Sequence, residues 1–299
     1  MGVEVVQLCC SVQREPVLTD LRFEVQQGLA AVLGPEGAGK STLLSVMATL
    51  IEPSAGTVRV DGLDVRKQKP EVRRRIGYLP AGAGPFRNLT VEETMEYLAL
   101  LQGIDHAPVR NLRIERALER LDLAGCRKRA VRELPRGVAR RIALAQASLC
   151  QPSTLLLDDP TGGLDPDEQA SIRSYLVRLA REFVVIVATE RPEDAEVADT
   201  VVVLRDGRLR FSGTSEAMVE TVRGRVWSLE LPAERSPASL NGLQPTGWTR
   251  SNGALRCRGV GTPPEGIPAS PEEPSVADAY VRLLRTDEEL TDGREVAAA

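Results

Sequence analysis

The sequence predicts an α/β fold with a mainly parallel sheet, antiparallel strands near the N-terminus and an inserted block of helices. Short apolar runs such as residues 29–33 and 154–158 alternate with helical patterns, which is typical of a parallel sheet covered on both faces. Residues 3–8 and 21–25 alternate apolar with polar side chains, as half-exposed strands do. Between residues 88 and 150 three segments carry apolar residues at helical spacing. This block therefore interrupts an otherwise alternating chain.

Composition narrows the class of protein. The 299 residues are 42% hydrophobic and 27% charged, as in ordinary globular proteins, and a net charge of -4 argues against nucleic acid as a partner. No apolar run approaches a membrane span, and the N-terminus does not look like a signal peptide. The five cysteines lack metal-ligand spacing and are predicted to be reduced thiols. These features predict a cytoplasmic protein, or one attached to the cytosolic side of a larger assembly.

The central motif lies between a buried strand and a helix and fits the pattern G-x-x-x-x-G-K-[ST]. It consists of Gly34, Pro35, Glu36, Gly37, Ala38, Gly39, Lys40, Ser41 and Thr42. Its glycines allow successive backbone N–H groups to cradle phosphate oxygens at a helix N-terminus. Lys40 would reach the β- and γ-phosphates, and the Ser41 hydroxyl would ligate Mg²⁺. The motif predicts a P-loop NTPase that binds a nucleoside triphosphate.

A second motif follows the apolar strand at residues 154–158. The string from Asp158 through Asp159 to Asp165 places acidic side chains at the end of that strand. Downstream of a P-loop, such a carboxylate is used to hold Mg²⁺, so Asp158 is a candidate metal ligand and Asp159 a candidate for positioning the attacking water. In isolation the same string would be a strand ended by an acidic turn, but the P-loop favours the catalytic interpretation.

Together these motifs resemble the nucleotide-binding subunit of ATP-binding cassette (ABC) transporters, over about residues 3–223. The resemblance implies ATP and Mg²⁺ as ligands. It implies two partners: a second ATP-binding subunit, identical or different, and an integral membrane permease that contacts the helical block. Each ATP would lie between the P-loop of one subunit and the signature loop of the other, so Gly137 and Asp165 would also contact nucleotide. The protein would then lie on the inner face of the cell membrane.

Segments 76–80 and 88–93 look like the ABC-2-type branch of that family, whose members are typically exporters. The motifs also depart from the family pattern. Val12 aligns where an aromatic side chain usually stacks on adenine, and Ala81 stands at the Q-loop glutamine. The signature L-S-G-G-x reads Leu-Pro-Arg-Gly-Val over residues 134–138, so its serine is lost and Arg136 replaces one of its glycines.

Two further departures concern catalysis. Asp159 replaces the catalytic glutamate and is one methylene shorter, and Glu190 replaces the switch histidine. Because catalysis of phosphoryl transfer is mainly positioning and electrostatics, these changes predict ATP binding with slow hydrolysis. A non-hydrolysing regulatory subunit on the same fold is the alternative. Soluble ABC proteins of translation or DNA repair fit less well, because there is one cassette and no Cys-rich insertion.

The pattern of alternating strands and helices ends near residue 224, and a stretch rich in Pro and Glu follows at 262–275. We expect residues 1–224 to form the nucleotide-binding domain, with the helical subdomain at about 88–150. Residues 225–299 are expected to form a small accessory region, with a Pro-rich extended linker at 262–275, a helix beginning at Val276 and a disordered tail at 287–299.

Overall fold

The computed structural model describes residues 2–231, 240, 242–251, 254–285 and 290–291. Within these ranges the strands are β1 (Val3–Val12), β2 (Glu15–Val25), β3 (Gly28–Leu33), β4 (Ala55–Val60), β5 (Leu63–Asp64), β6 (Ile76–Leu79), β7 (Thr154–Asp158), β8 (Val184–Thr189), β9 (Thr200–Arg205), β10 (Arg208–Gly213), β11 (Val226–Leu231), β12 (Leu243–Ser251), β13 (Ala254–Gly261), β14 (Ala269–Pro271) and β15 (Leu290–Thr291). The helices are α1 (Lys40–Met47), α2 (Lys69–Arg75), α3 (Val91–Leu101), α4 (Ala107–Arg120), α5 (Arg136–Ser148), α6 (Pro166–Ala180), α7 (Pro192–Ala195), α8 (Ser215–Glu220) and α9 (Val276–Leu283).

The central sheet is mainly parallel, as predicted. Among the described residues its strand order is β15-β10-β9-β3-β8-β7-β6, and the strands from β9 to β6 all run parallel to their neighbours. Strand β10 returns antiparallel to β9 through the predicted turn at Asp206 and Gly207. Both turn residues have positive φ, 50° and 70°, the backbone that a tight two-residue hairpin requires.

Both faces of this sheet are buried, which explains why its strands are continuous apolar runs. In β3, Ala31 and Leu33 face a core that they share with the helical block, whereas Ala30 and Val32 face a second core that they share with α1. Adjacent strands of a parallel sheet covered on both sides follow the same alternation. The layers predicted from the sequence are therefore confirmed.

The N-terminal strands form a second, antiparallel sheet with the order β2-β1-β4-β5. Its inward residues, such as Leu21 and Phe23, pack in the same core as Leu43 and Met47 of α1. This sheet thus covers the helix that follows the P-loop, and it fixes the orientation of that helix beneath the phosphate-binding loop.

The inserted block consists of α3, α4 and α5, which pack on one another and against α6. Helix α3 begins with a capping box, in which the Thr90 hydroxyl accepts from the Glu93 amide and the Glu93 carboxylate accepts from the Thr90 amide. Met95, Ile114 and Ile142 are buried within the block. No helix in the described ranges has the length and apolar character of a membrane span.

After α8 a third sheet with the order β12-β13-β11-β14 is followed by α9. Ala279 and Leu283 of α9 are buried in the same core as Ala195 and Met218, so this region packs on the end of the cassette through α7 and α8. The division at residue 224 stays a prediction.

The extended linker predicted for 262–275 is wrong in part, because Ala269 pairs with Leu229 and adds β14 to the third sheet. The tail predicted to be disordered, 287–299, lies outside the described residues except for β15, which pairs with β10.

Candidate functional site

The P-loop connects β3 to α1, and its backbone is shaped by glycine. Gly39, the residue before α1, has φ of 95°, and a Cβ at this position would lie 2.5 Å from Leu18 Cδ2. A side chain is therefore excluded both by backbone strain and by the neighbouring strand. No side chain caps the N-terminus of α1, so its first amides remain available to an anion.

A cavity of about 350 Å³ opens beside this loop and gathers most of the predicted site residues. It is lined by Val17, Glu36, Gly37, Ala38, Gly39, Lys40, Ser41, Thr42, Ala81, Asp158, Asp159, Ala188, Thr189 and Glu190. Among these lining residues Lys40 is the only cation, and four carry carboxylates: Glu36, Asp158, Asp159 and Glu190. Gly34 and Pro35 contribute backbone carbonyls that accept hydrogen bonds from Lys40, at 2.8 Å and 2.7 Å.

Lys40 has a third partner across the cavity. Its Nζ lies 3.4 Å from Glu190 Oε1, and the Lys40 side chain is 9% exposed whereas that of Glu190 is 55% exposed. Glu190 directly follows β8, which runs beside β3 with Thr189 opposite Leu33. The parallel register thus places the switch position directly opposite the P-loop lysine.

The oxygen donors needed for Mg²⁺ also meet here. Ser41 and Asp158 line the same cavity, and Asp158 is buried there, with 4% of its surface exposed. Burial raises the pKa of Asp158, and the charge of Asp159 adds to the rise. In the described ranges no three His, Cys, Asp or Glu side chains converge as a metal cluster. Mg²⁺ at nucleotide sites uses one or two protein oxygens with phosphate and water, so Ser41 and Asp158 fit that ion.

Asp159 is engaged by an arginine that the sequence motifs did not indicate. Its Oδ1 lies 2.6 Å from Nη1 of Arg191, which also donates to the Thr161 hydroxyl at 3.4 Å. Asp159 itself has φ of 49°, a left-handed backbone that turns its carboxylate toward the next loop. A Cβ on Gly162 would lie 1.8 Å from Asp159 Oδ2, so glycine at 162 makes room for that carboxylate.

A buried aspartate fixes the loops on which these groups are carried. Asp194 is 3% exposed and accepts from the hydroxyls of Thr161 at 2.6 Å and Thr189 at 2.7 Å. Arg173 of α6 pairs with its other oxygen at 3.2 Å. One carboxylate therefore joins the loop after β7, the end of β8 and helix α6.

Three residues near the site were missed by the motif-based interpretation. Val17, on the second strand of the N-terminal hairpin, lines the cavity. Arg140 of α5 donates to the Gly162 carbonyl at 3.3 Å, and burial lowers its pKa while Asp159 opposes that effect. The only signal in the sequence for a role of Arg191 at the site is that it directly follows Glu190, because a single arginine belongs to no recognisable motif.

The structure does not bring Gly137 and Asp165 into the cavity. They lie at the starts of α5 and α6 and are joined by Glu168, whose Oε1 accepts from the Gly137 amide at 2.8 Å. The Glu168 amide in turn donates to Asp165 Oδ1 at 2.8 Å, which caps α6. Asp165 is exposed, whereas Gly137 is buried and its amide is taken by Glu168.

Comparison with known proteins identifies the family to which the chain is similar. The ABC transporter family model matches residues 18–162. The ABC transporter ATP-binding protein NatA of Bacillus subtilis is 32% identical over 208 residues, which cover 68% of this chain and 84% of NatA. The sulfate/thiosulfate import ATP-binding protein CysA of Gloeobacter violaceus is 38% identical over 201 residues, covering 66% of this chain but only 58% of CysA.

Solved structures show the same fold. An ATP-binding subunit of an ABC transporter superposes with a TM-score of 0.62 at 24% identity, covering 74% of this chain and 93% of that one. The cbiO1 protein of Clostridium perfringens, part of the ABC transporter complex cbiONQ, gives a TM-score of 0.66 at 24% identity, covering 73% and 91%. The family match and the 32% identity to NatA show that the chain belongs to the ABC transporter family, as an ATP-binding subunit.

Proposed function

We propose that this subunit binds Mg·ATP in the cavity beside its P-loop and couples that binding to a separate membrane permease. The main support for the proposal is that the P-loop and the carboxylates at the end of β7, Asp158 and Asp159, line the same cavity. The strands β3, β7 and β8 end side by side, and ligands of open α/β sheets bind at the carboxyl ends of the strands.

Each group has a role that follows from its place. The free amides at the start of α1 cradle phosphate oxygens, and Lys40 supplies a buried positive charge. Ser41 and Asp158 would hold Mg²⁺, which neutralises charge between phosphate oxygens. Asp159 is the group placed to orient the attacking water, with Glu190 at the switch position.

We further propose that hydrolysis is slow. Asp159 is one methylene shorter than the family's glutamate, and its Oδ1 is already bonded to Arg191 at 2.6 Å. A misplaced base costs about 10²-fold in rate, since proton transfer depends on geometry. ATP binding rests on Lys40 and the loop amides, which the change at Asp159 leaves in place.

The starts of α5 and α6, which carry Gly137 and Asp165, are proposed to meet a second ATP-binding subunit, identical or different, and to complete that subunit's nucleotide site. The helical block is proposed to contact an integral membrane permease, which would hold the protein on the inner face of the membrane. The cbiO1 protein, similar in fold, is part of such a transporter complex.

The direction of transport has two candidates. Export rests on the resemblance of segments 76–80 and 88–93 to the ABC-2-type branch. Import is favoured by the CysA relatives, which are named as import proteins. The direction is a property of the permease and would be decided by transport assays with it.

Titration of a fluorescent ATP analogue against wild type, Lys40→Ala and the exposed control Lys67→Ala tests the binding site. Loss of a charge-assisted contact to phosphate costs about 2 kcal/mol, roughly 30-fold in affinity. We expect that loss for Lys40→Ala and wild-type affinity for Lys67→Ala. Equal affinities for all three proteins would overturn the proposed site.

A further inference from the structure

All three donors of the Lys40 ammonium are occupied within the described part of the chain. Two go to the carbonyls of Gly34 and Pro35, and the third points to the carboxylate of Glu190 at 3.4 Å. An ammonium has only three N–H groups. A phosphate that bonds to Lys40 must therefore displace one of these acceptors.

The three acceptors differ in how readily they can leave. The two carbonyls belong to the P-loop backbone, whereas Glu190 reaches Lys40 through a side chain that is 55% exposed. A half-exposed ion pair contributes little free energy and exchanges easily. Glu190 is thus the acceptor that a phosphate replaces.

Glu190 nevertheless cannot move far from the site. Its backbone follows Thr189, whose hydroxyl is bonded to the buried Asp194 at 2.7 Å and whose carbonyl accepts from the Gly34 amide at 3.3 Å. The displaced carboxylate would stay beside the cavity, which Asp158 and Asp159 also line. It would then lie next to the outermost phosphate of a bound nucleotide, because Lys40, with which it pairs, reaches the β- and γ-phosphates.

We propose that Glu190 makes this site favour a nucleoside diphosphate over a triphosphate, by repelling the terminal phosphate. The inference rests on the proposed function, which places the nucleotide at the P-loop. A diphosphate still uses the loop amides and α1 and lacks the group that Glu190 opposes. Two unit charges about 4 Å apart in water already change an equilibrium about fivefold, and partial burial increases the effect.

The test is the ratio of dissociation constants for Mg·ADP and Mg·ATP in wild type, Glu190→Gln and Glu193→Gln. Glu193 is exposed, lies three residues away on α7 and does not line the cavity, so it removes the same charge from the same segment. We expect Glu190→Gln to strengthen Mg·ATP relative to Mg·ADP by at least about fivefold. The ratio for Glu193→Gln should equal that of wild type.

Two outcomes would overturn the inference, and they are distinguishable. If Glu190→Gln changes both affinities equally or neither, Glu190 does not discriminate between the nucleotides, although the proposed nucleotide site stands. If neither nucleotide binds to wild type, the proposed function fails and the inference fails with it.

Discussion

At the residue scale, the adjacent side chains of Glu190 and Arg191 form ion pairs with the P-loop lysine and with the candidate base. Glu190 pairs with Lys40, and Arg191 pairs with Asp159. Asp159 is 42% exposed and Glu190 is 55% exposed, so both pairs are open to solvent and to exchange with nucleotide. The segment after β8 thus supplies a negative partner for the P-loop lysine and a positive partner for the candidate base.

The buried carboxylate of Asp158 leads to a prediction about pH. Burial raises its pKa above the ordinary value, so the folded protein holds this proton more tightly than the unfolded chain does. Ionising Asp158 therefore costs stability as pH rises, and Mg²⁺ binding offsets that cost because only the ionised carboxylate ligates the ion. We expect the gain in ATP affinity due to Mg²⁺ to weaken on acidification, beginning above the usual pKa of aspartate, about 3.9.

Titration of ATP with and without Mg²⁺ between pH 8 and about pH 4.5 measures this gain. The same series with Asp158→Asn reports the protonation of the nucleotide itself, since the amide does not titrate in that range. A gain due to Mg²⁺ that follows the same pH curve in wild type and Asp158→Asn would exclude Asp158 as the titrating ligand.

At the scale of elements, the loops after β7 and β8 are joined by a network centred on Asp194, in addition to backbone hydrogen bonds such as that from the Asp159 amide to the Ala188 carbonyl. The Asp194 carboxylate joins the loop after β7, the end of β8 and Arg173 of α6. Because this carboxylate is 3% exposed, its partners would be left buried and unpaired without it. The network therefore sets the positions of both Asp159 and Glu190.

Asp194→Ala should lower the free energy of unfolding by about 3 kcal/mol, because it breaks a buried ion pair and leaves two hydroxyls without their acceptor. Thermal unfolding of this variant beside Glu193→Ala, its exposed neighbour, measures the effect. A melting temperature equal to that of the control would show that the network does not hold the loops.

Strands and helices whose apolar residues form a regular pattern along the chain could be predicted from the sequence. The strands β6 and β7 and the helix α3 have the bounds that their apolar patterns indicate. Strand β12 was missed because it contains Pro245 and Gly247 at an irregular point of its pairing with β13. Helix α2 was missed because it is short and buries only Val72.

The residues of the candidate site also fall into two groups, those that could be predicted from the sequence and those that could not. The P-loop and the acids after β7 are local motifs, so their residues were found from spacing. The pairing of Arg191 with Asp159 and the place of Val17 depend on which strands lie side by side, and spacing along one chain does not determine that. The alignment of Val12 with the position that stacks on adenine stays a prediction.

At the scale of the whole molecule, the departures from the family pattern lie on one chain. In a dimer of the kind the family forms, each ATP would lie between the P-loop of one subunit and the signature loop of the other. A homodimer would then carry Asp159, Glu190 and Arg136 at both sites. With a partner of standard sequence, Asp159 and Glu190 would fall in one site and Arg136 in the other. Neither arrangement contains a site with every standard group, so we expect slow turnover in both.

Steady-state Mg·ATP hydrolysis by the purified chain tests the central claim, binding with weak catalysis, most directly. Wild type should turn over far below the roughly 1 s⁻¹ at which ordinary enzymes begin. Asp159→Glu alone should recover little, because Glu190 still opposes the γ-phosphate, and Asp159→Glu with Glu190→His should recover more. A wild-type rate of about 1 s⁻¹ or higher that Asp159→Asn abolishes would contradict the account and show that Asp159 and Glu190 are a working catalytic pair.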